Sequence, residues 1–537
     1  MKWDIPARRY GPPRNGESEI EMIADTLPYD FDGLVVFDLA NNHQGDVDHG
    51  CNIIRTMGNL ARQHGVRAAM KFQFRQLDSF IHKAHLSGSE NKHVSRFLST
   101  RLDRAAVQSL FDEVKTAGLI SMCTPFDEAS VDVIQEMGFD ILKIASCSAT
   151  DWPLLEKATN SGLPIVCSTG GLDLSQIDDL YSFFTHRGVD FGLMHCVSIY
   201  PTPPNMLELN QIDVLRHRYP DIPIGWSTHE DPNALGPVNI AAAKGAQMFE
   251  RHVGIATDRI ELNGYSSTPE QVDAWLGALA ETRAMCGGAV RPAASENERE
   301  SLLSLERGVY LSEVIQPGEE VNVNKVYFAM PIESGQLSSG QFKPGIVANR
   351  NFGPDDALLA GDIEIPPPPA DRIIKKAVHE VKAMLHQAKV HLNTDFKIEY
   401  SHHYGVENFR KVGAVLINIV NREYCKKIIV QLPKQVHPQH HHKRKEETFQ
   451  ILSGILNVTI DSHNRILGPG DTCLVQPGMW HNFWTDTGCV FEEISTRDHD
   501  DDSFYKDKKI NQMQRSERKT VVNHWGRYEL LDQIRPD

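Results

Sequence analysis

Eight short apolar runs, each closed by a reactive polar side chain, recur between about residues 33 and 290 and constrain this chain more than any other feature. The runs are GLVVFDLANNH, RAAMKFQF, LISMCTPF, ILKIASCS, PIVCSTGG, FGLMHCVS, IPIGWSTH and AQMFERHV, most of them bounded by Gly or Pro. Helix-like sequence follows them, as at 154–161 and 272–285. Strands that stay apolar throughout, instead of alternating, are strands covered on both faces. Eight of them alternating with helices in about 250 residues fit an α/β fold of the TIM (β/α)8 barrel type better than an open sheet. The polar residues fall at the run ends: Asp38 and His43, Lys71 and Gln73, Thr124, Lys143 and Ser146, Ser168, Ser198, Ser227 and His229, Glu250 and His252. Such barrels carry their chemistry at the C-terminal strand ends, so these residues are expected to share one site.

The chain has 537 residues, too many for one hydrophobic core, and further domains are expected. Residues 1–32 precede the barrel of 33–290, and RPAASENERESLLSL at 291–305 reads as a polar linker. A small β-rich module at 306–365 repeats the pattern of apolar strand, PG or GP turn, acidic cluster and apolar closure. Within 366–389, PPPPADR reads as a stiff spacer and 373–386 as an amphipathic helix. From 390 to 510 the strand-like, His-rich sequence indicates a small all-β barrel, and 511–537 is a charged tail or a packing arm. The long segment 75–100, between the second and third strands, reads as a cover for an acceptor site.

Charged residues are 23% and hydrophobic ones 41%, a globular balance that excludes a mainly disordered chain. No run of 18 apolar residues occurs and the start lacks a signal-like apolar stretch, so a cytoplasmic protein without a membrane partner is expected. With 55 basic against 71 acidic residues and a net charge of −16, nucleic acid is disfavoured as a partner. A local cationic pocket for a small anion is still compatible with that surface. The nine cysteines form no C-x-x-C pair, which indicates reduced, mostly buried thiols rather than a disulfide or thiolate-metal framework.

Lys71 and Lys143 lie on different strands yet point toward one mouth, beside Ser146, Ser168 and Ser227. Two ammonium groups with several hydroxyl donors suit a compact anion carrying phosphate and carboxylate. His229 and His252 end neighbouring strands, where two imidazoles can hold one divalent ion and leave positions open for substrate oxygens. NNHQGD, MKFQ, CTPFD, LKIAS, STGG, HCVSIYPTP, GWSTH and FERH, in this order, resemble the sialic acid synthase family. That resemblance implies condensation of phosphoenolpyruvate with an aldose to give a nonulosonic acid and phosphate. It implies that Lys71, Thr124, Lys143, Ser146, Ser168 and Ser227 cradle phosphoenolpyruvate, with Ser198 where the family commonly has Asn. It also implies that His229 and His252 hold Mn2+ or Mg2+, that Asp38 and Lys143 serve the chemistry, and that Gln73 and Tyr200 position the sugar. The module at 306–365 resembles the family's antifreeze-like (SAF) domain, which implies a homodimer with that domain swapped.

Departures from the family pattern collect on the sugar side. Asp38 stands where Glu is common, one methylene shorter, and Ser146-Cys147-Ser148 replaces S-G-E. ELNGYSS replaces G-P-D, leaving Glu261 and Asn263 as stand-ins, and Met330 in FAMP takes the place of an Arg that reads the acceptor's N-acetyl group. An acceptor other than N-acetylmannosamine is therefore expected.

In the last domain, His440 and His442 sit on one strand face, with Glu447, Gly454 and, after a PG turn, His481. This spacing resembles the two cupin motifs and implies a three-His, one-carboxylate site for a divalent metal such as Mn2+, Zn2+, Fe2+ or Ni2+. Cupins include isomerases, epimerases, oxygenases and binding domains, and beside a sugar-condensing barrel either aldose isomerisation/epimerisation or sugar binding is open. A metal-dependent or Schiff-base sugar-acid aldolase using Lys143, and a nonenzymatic sugar-binding regulator, are the rival readings of the whole chain.

Overall fold

The computed structural model describes residues 28–526 apart from 88, 228, 289–290 and 394–395. Most of the extension at 1–32 thus lies outside the described residues. The chain divides between Pro292 and Ala293 into two compact units. Among the described residues no helix is long and apolar enough to cross a membrane.

The first unit is a closed barrel of eight parallel strands in sequential order. They are β1 (Val35–Asp38), β2 (Ala68–Phe74), β3 (Ile120–Pro125), β4 (Ile141–Ile144), β5 (Ile165–Ser168), β6 (Phe191–Cys196), β7 (Ile224–Ser227) and β8 (Met248–His252). Each corresponds to one of the eight apolar runs. Val35, Phe37, Met70, Cys123, Leu142, Cys167, Leu193, Trp226 and Phe249 face the surrounding helices in one large core. Val36, Ala69, Met122, Ile141, Val166, Met194 and Met248 face the barrel axis, with Phe31 and Leu34 packed among them. Because strand side chains alternate, the next axial position on each strand lies two residues on. Those positions are Asp38, Lys71, Thr124, Lys143, Ser168, Cys196, Ser227 and Glu250, all buried. One period of the pleat therefore separates an apolar plug from a wholly polar layer.

In the second unit, 308–364 has a small core of its own around Val309, Leu311, Ile346 and Leu358, with antiparallel pairs Gly308–Leu311 with Val326–Ala329 and Val347–Ala348 with Ile363–Glu364. The cupin region consists of a seven-stranded and a five-stranded antiparallel sheet, and Phe449, Ile451, Val458, Phe483 and Phe491 interdigitate between them.

Three boundaries differ from the sequence expectation. The stretch read as a polar linker contains a helix, Glu296–Leu303, with no buried residue, started by Ser295 as N-cap. The helix placed at 373–386 runs over Ala370–Gln387, so the spacer's ADR is its first turn, and it buries Ile374, Ala377, Val378, Val381 and Leu385 in the cupin core. The segment at 511–537, expected as a tail or a packing arm, is an arm in its described part: it supplies strand Lys519–Val522, paired with Ile398–Ser401, and Val522 and Trp525 enter the same core. Its high charge hid this, because only one side of that edge strand is buried.

Candidate functional site

The barrel's polar layer is a linked charge network. Lys71 Nζ lies 3.0 Å from Asp38 Oδ2 and 2.8 Å from Glu250 Oε1, while Lys143 Nζ lies 2.6 Å from Glu250 Oε2 and donates to Ser168 Oγ at 2.7 Å. Ser227 Oγ donates to the same Glu250 at 3.3 Å. Burial alone would lower the Lys71 pKa, but Asp38 and Glu250 hold it above the usual lysine value. Burial works against the Glu250 charge too, yet Lys143 and Lys71 keep its carboxyl well below the ordinary range. The expected cationic cup is thus balanced, with two ammonium groups facing two carboxylates.

The hydroxyl side of the cup is shaped by a glycine. A Cβ on Gly170, in STGG, would lie 2.6 Å from Ser198 Oγ, 2.8 Å from Ser146 Oγ and 3.2 Å from Cys196 Sγ. Gly170 N–H donates to Ser146 Oγ at 3.0 Å, so the backbone is brought against these three side chains. Thr124 Oγ1, buried at the end of β3, has no hydrogen-bond partner.

His229 and His252 come together as expected, their rings 5.4 Å apart. His229 Nδ1 lies 3.1 Å from Val197 O; a carbonyl only accepts, so Nδ1 carries the proton and Nε2 keeps its lone pair. Burial, then the neighbouring His252, lower the His229 pKa to about 3, and burial lowers that of His252. Two neutral imidazoles beside a carboxylate (His252 Nδ1 is 3.2 Å from Asp38 Oδ2) fit a divalent cation. Tyr200 lies edge-on to His229 at 4.2 Å and near His252 at 6.5 Å. Gln73 Nε2 approaches Asp38 Oδ2 at 3.4 Å.

Some stand-ins do not reach the site. Glu261 is exposed, and the Asn263 side chain caps its own turn by accepting from Tyr265 N. Tyr265 instead adjoins the histidine pair, 5.1 Å from His252 and 5.2 Å from Tyr200. Glu250, the carboxylate that joins the two lysines, was left without a role by the motif reading, although FERH displays it two residues before His252, on the same strand face.

In the cupin, His440, His442 and His481 each offer a ligand atom within 4.8 Å of the others. His440 opposes His481 across the ladder, while His442 lies just past the end of strand Val436–His441. All three Nδ1 atoms lie against backbone carbonyls: Pro438 O at 3.0 Å, Asp502 O at 2.7 Å and Met479 O at 3.2 Å. The Nε2 lone pairs are left to converge, and those of His442 and His481 are buried without a hydrogen-bond partner. Glu447 Oε1 is 3.0 Å from His442 Nε2, and its Oε2 is 3.4 Å from His481 Nε2. The set fits a divalent metal. Around it the sequence reading missed a charged basin of Lys427, Lys445, Glu493, Asp498 and Lys519, in which Lys445 pairs with both Glu447 and Glu493. It also missed the buried pair His403 and His437, whose Nε2 atoms are 3.2 Å apart. The adjacent doublets Lys426-Lys427 in strand Tyr424–Gln431 and Glu492-Glu493 in strand Cys489–Thr496, each of which puts one charge on the buried face, were the available signal.

The sequence model of the NeuB family matches residues 59–290, and that of the cupin domain matches 428–491. The human N-acetylneuraminate-9-phosphate synthase is 30% identical over 230 residues, which cover 41% of this chain and 61% of that enzyme. The N,N'-diacetyllegionaminic acid synthase of Campylobacter jejuni is 22% identical over 337 residues, covering 60% of this chain and 98% of that one. The crystal structure of a spore coat polysaccharide biosynthesis protein E from Chromobacterium violaceum superposes with a TM-score of 0.60 at 43% identity, over 62% of this chain and 100% of that chain.

Proposed function

Because this chain belongs to the NeuB family and ends in a cupin domain, we propose that it is a phosphoenolpyruvate-dependent synthase that joins three carbons to an aldose. The observation that carries this reading is the convergence of Lys71 and Lys143 on one carboxylate, in a layer that also holds Ser168 and Ser227 and adjoins the paired imidazoles. A phosphoenolpyruvate entering there would exchange Glu250 for its own anionic groups as partner of the two ammonium groups, with Ser146, Ser168, Ser198 and Ser227 donating to its oxygens. In the reaction, the enol C3 forms a bond to the aldehyde carbon, water adds at C2, and the C2–phosphate bond breaks to release inorganic phosphate. Lys71 and Lys143 stabilise negative charge through both steps. Asp38, bridged to Lys71, Gln73 and His252, is placed to take the proton from the attacking water. Mn2+ or Mg2+ held by His229 and His252 would supply Lewis-acid polarisation of the sugar carbonyl. Lys143 donates to Glu250 and Ser168, the setting of an anion-binding ammonium rather than of a free Schiff-base amine, which favours the synthase over the aldolase reading.

The acceptor is an aldose other than N-acetylmannosamine, as the departures at Asp38, Cys147-Ser148 and Met330 suggest. The cupin, with His440, His442, Glu447 and His481 around a divalent metal, isomerises or epimerises the sugar that the barrel consumes. The protein works as a cytoplasmic homodimer through its antifreeze-like module at 306–365. The test is phosphate release from phosphoenolpyruvate with a panel of aldoses, products being weighed by mass spectrometry. Release with a 3-deoxy-2-keto acid product, lost in Lys143→Met, is expected. No release with any aldose, or a clear preference for N-acetylmannosamine, would contradict the reading at the corresponding level.

A further inference from the structure

A cavity of about 550 Å³ opens beside the polar layer, and Asn41, Phe72, Gln73, Arg75, Thr100 and Val107 are among its lining residues. Gln73 joins it to the polar layer: its Nε2 faces Asp38 and its Oε1 accepts from Arg75 Nη2 at 3.1 Å. The Arg75 guanidinium is clamped between two rings, 4.0 Å from the Phe97 centroid and 3.6 Å from that of Phe126. With both faces covered, only its edge is available, and planar edges of guanidinium pair with carboxylate or phosphate.

The other cations of this cavity are already engaged. Arg101 makes two hydrogen bonds to Asp78, at 3.0 and 2.8 Å, and Arg104 lies 3.7 Å from Glu136. Arg75 forms no ion pair with a carboxylate among the described residues, and its Nε is buried without a hydrogen-bond partner. Burial has pulled its pKa down to about 10. A half-buried, aromatic-clamped cation with no carboxylate of the described residues at ion-pair distance, acted on by Asp38 and Asp127 only from farther away, lines an open cavity next to the polar layer and can take an anion.

We propose that Arg75 receives an anionic substituent of the acceptor, so that the sugar side of this site selects an aldose carrying phosphate or carboxylate. The inference rests on the synthase reading for the identity of the ligand as an acceptor, while the anion site itself can be tested apart from turnover. Matched pairs serve as probes: arabinose and arabinose 5-phosphate, N-acetylmannosamine and its 6-phosphate, glucose and glucuronate. Their binding is measured calorimetrically on full-length protein treated with EDTA and saturated with phosphoenolpyruvate, which keeps the lysine cup occupied.

The anionic member of at least one pair is expected to bind tenfold or more tightly than its neutral partner, since charge-assisted pairs contribute on that scale. The phosphate pairs and the uronate pair distinguish the two sources of the charge. In Arg75→Met, with folding verified by circular dichroism, the ratio is expected to collapse toward one, and Arg75→Lys to restore part of it. Equal binding within every pair, or an unchanged ratio in Arg75→Met, would overturn the proposal. Selective binding without any phosphate release from metal-loaded enzyme would uphold the anion site and reject the synthase reading instead.

Discussion

Replacing Glu250 by Gln tests whether the balanced cup is a poised anion site. The substitution keeps shape and removes one negative charge that bridges Lys71 and Lys143 at 2.8 and 2.6 Å. Lys71 retains Asp38 at 3.0 Å, whereas Lys143 keeps only the Ser168 hydroxyl and the Met194 sulfur. The uncompensated charge therefore falls on Lys143, which is 1% exposed. Breaking a buried pair by removing one partner costs about 3–5 kcal/mol, and for a domain of this size each kcal/mol lowers Tm by about 2–4 °C. The barrel transition of Glu250→Gln is thus expected roughly 6–20 °C below that of the native protein. A ligand at 100 times its Kd adds about 2.7 kcal/mol of stability, and the variant should gain more than the native barrel from the same phosphoenolpyruvate concentration, because the anion restores a missing counter-charge. Scanning calorimetry with and without phosphoenolpyruvate reads both quantities. Equal stability without ligand, or equal gains from it, would show that Glu250 is not the group an incoming anion replaces.

Gly170→Ala should raise KM for phosphoenolpyruvate at least tenfold with a smaller change in kcat, as steady-state kinetics would show, because the new methyl meets Ser198 Oγ and Ser146 Oγ at 2.6 and 2.8 Å. Ending the chain at residue 510 should destabilise the cupin by several kcal/mol in a urea titration, since it deletes strand Lys519–Val522 and the buried Trp525, and burying one large side chain contributes roughly 1.5–3 kcal/mol. His437 is held to about 3 by burial and by the neighbouring His481, so its neutral form stabilises the fold fully above pH 6.5, the value of an unfolded histidine. That contribution is lost as pH falls from 6.5 toward 3, at up to about 1.4 kcal/mol per pH unit, and His437→Gln should flatten the decline in metal-free protein measured by urea unfolding.

The barrel was legible because two-sided burial forces eight uninterrupted apolar runs, and their polar ends mark the axial layer directly. The same rule located Lys71, Lys143, Ser227 and the histidine pair, whose spacing along the chain follows from one strand per side chain. What sequence did not disclose was sign and partner. Lys71 and Lys143 were read as a bare cationic cup because each appears alone in its own apolar strand, and the carboxylate that joins them is 179 and 107 residues away. Arg75 was likewise absorbed into a long covering segment, since nothing local announces that Phe97 and Phe126 close on its two faces. The charged strand near the C-terminus stayed ambiguous between tail and packing arm for the opposite reason: an edge strand needs only one buried face, and Lys519 spends its charge on Glu399 inside the sheet instead of on solvent.

The hidden partner of the two lysines has a physical origin that bears on how such a site would work. A lone buried lysine is expensive, so a fold can keep two of them ready for a substrate only by holding carboxylates against them until the substrate arrives. The carboxylates must come from other strands, because neighbours along one strand point to opposite faces. A resting anion site is therefore nearly neutral, and a search for net positive charge passes over it. Arg75 inverts the case. It is only half buried, its delocalised charge is spread between two rings, and it can stand without a counter-ion at a lower cost than an ammonium group. The two halves of the mouth would then differ in kind: the lysine cup would have to release Glu250 before binding an anion, whereas Arg75 holds no carboxylate among the described residues that must first leave. An anionic acceptor would then find its subsite preformed, and phosphoenolpyruvate would enter by exchange.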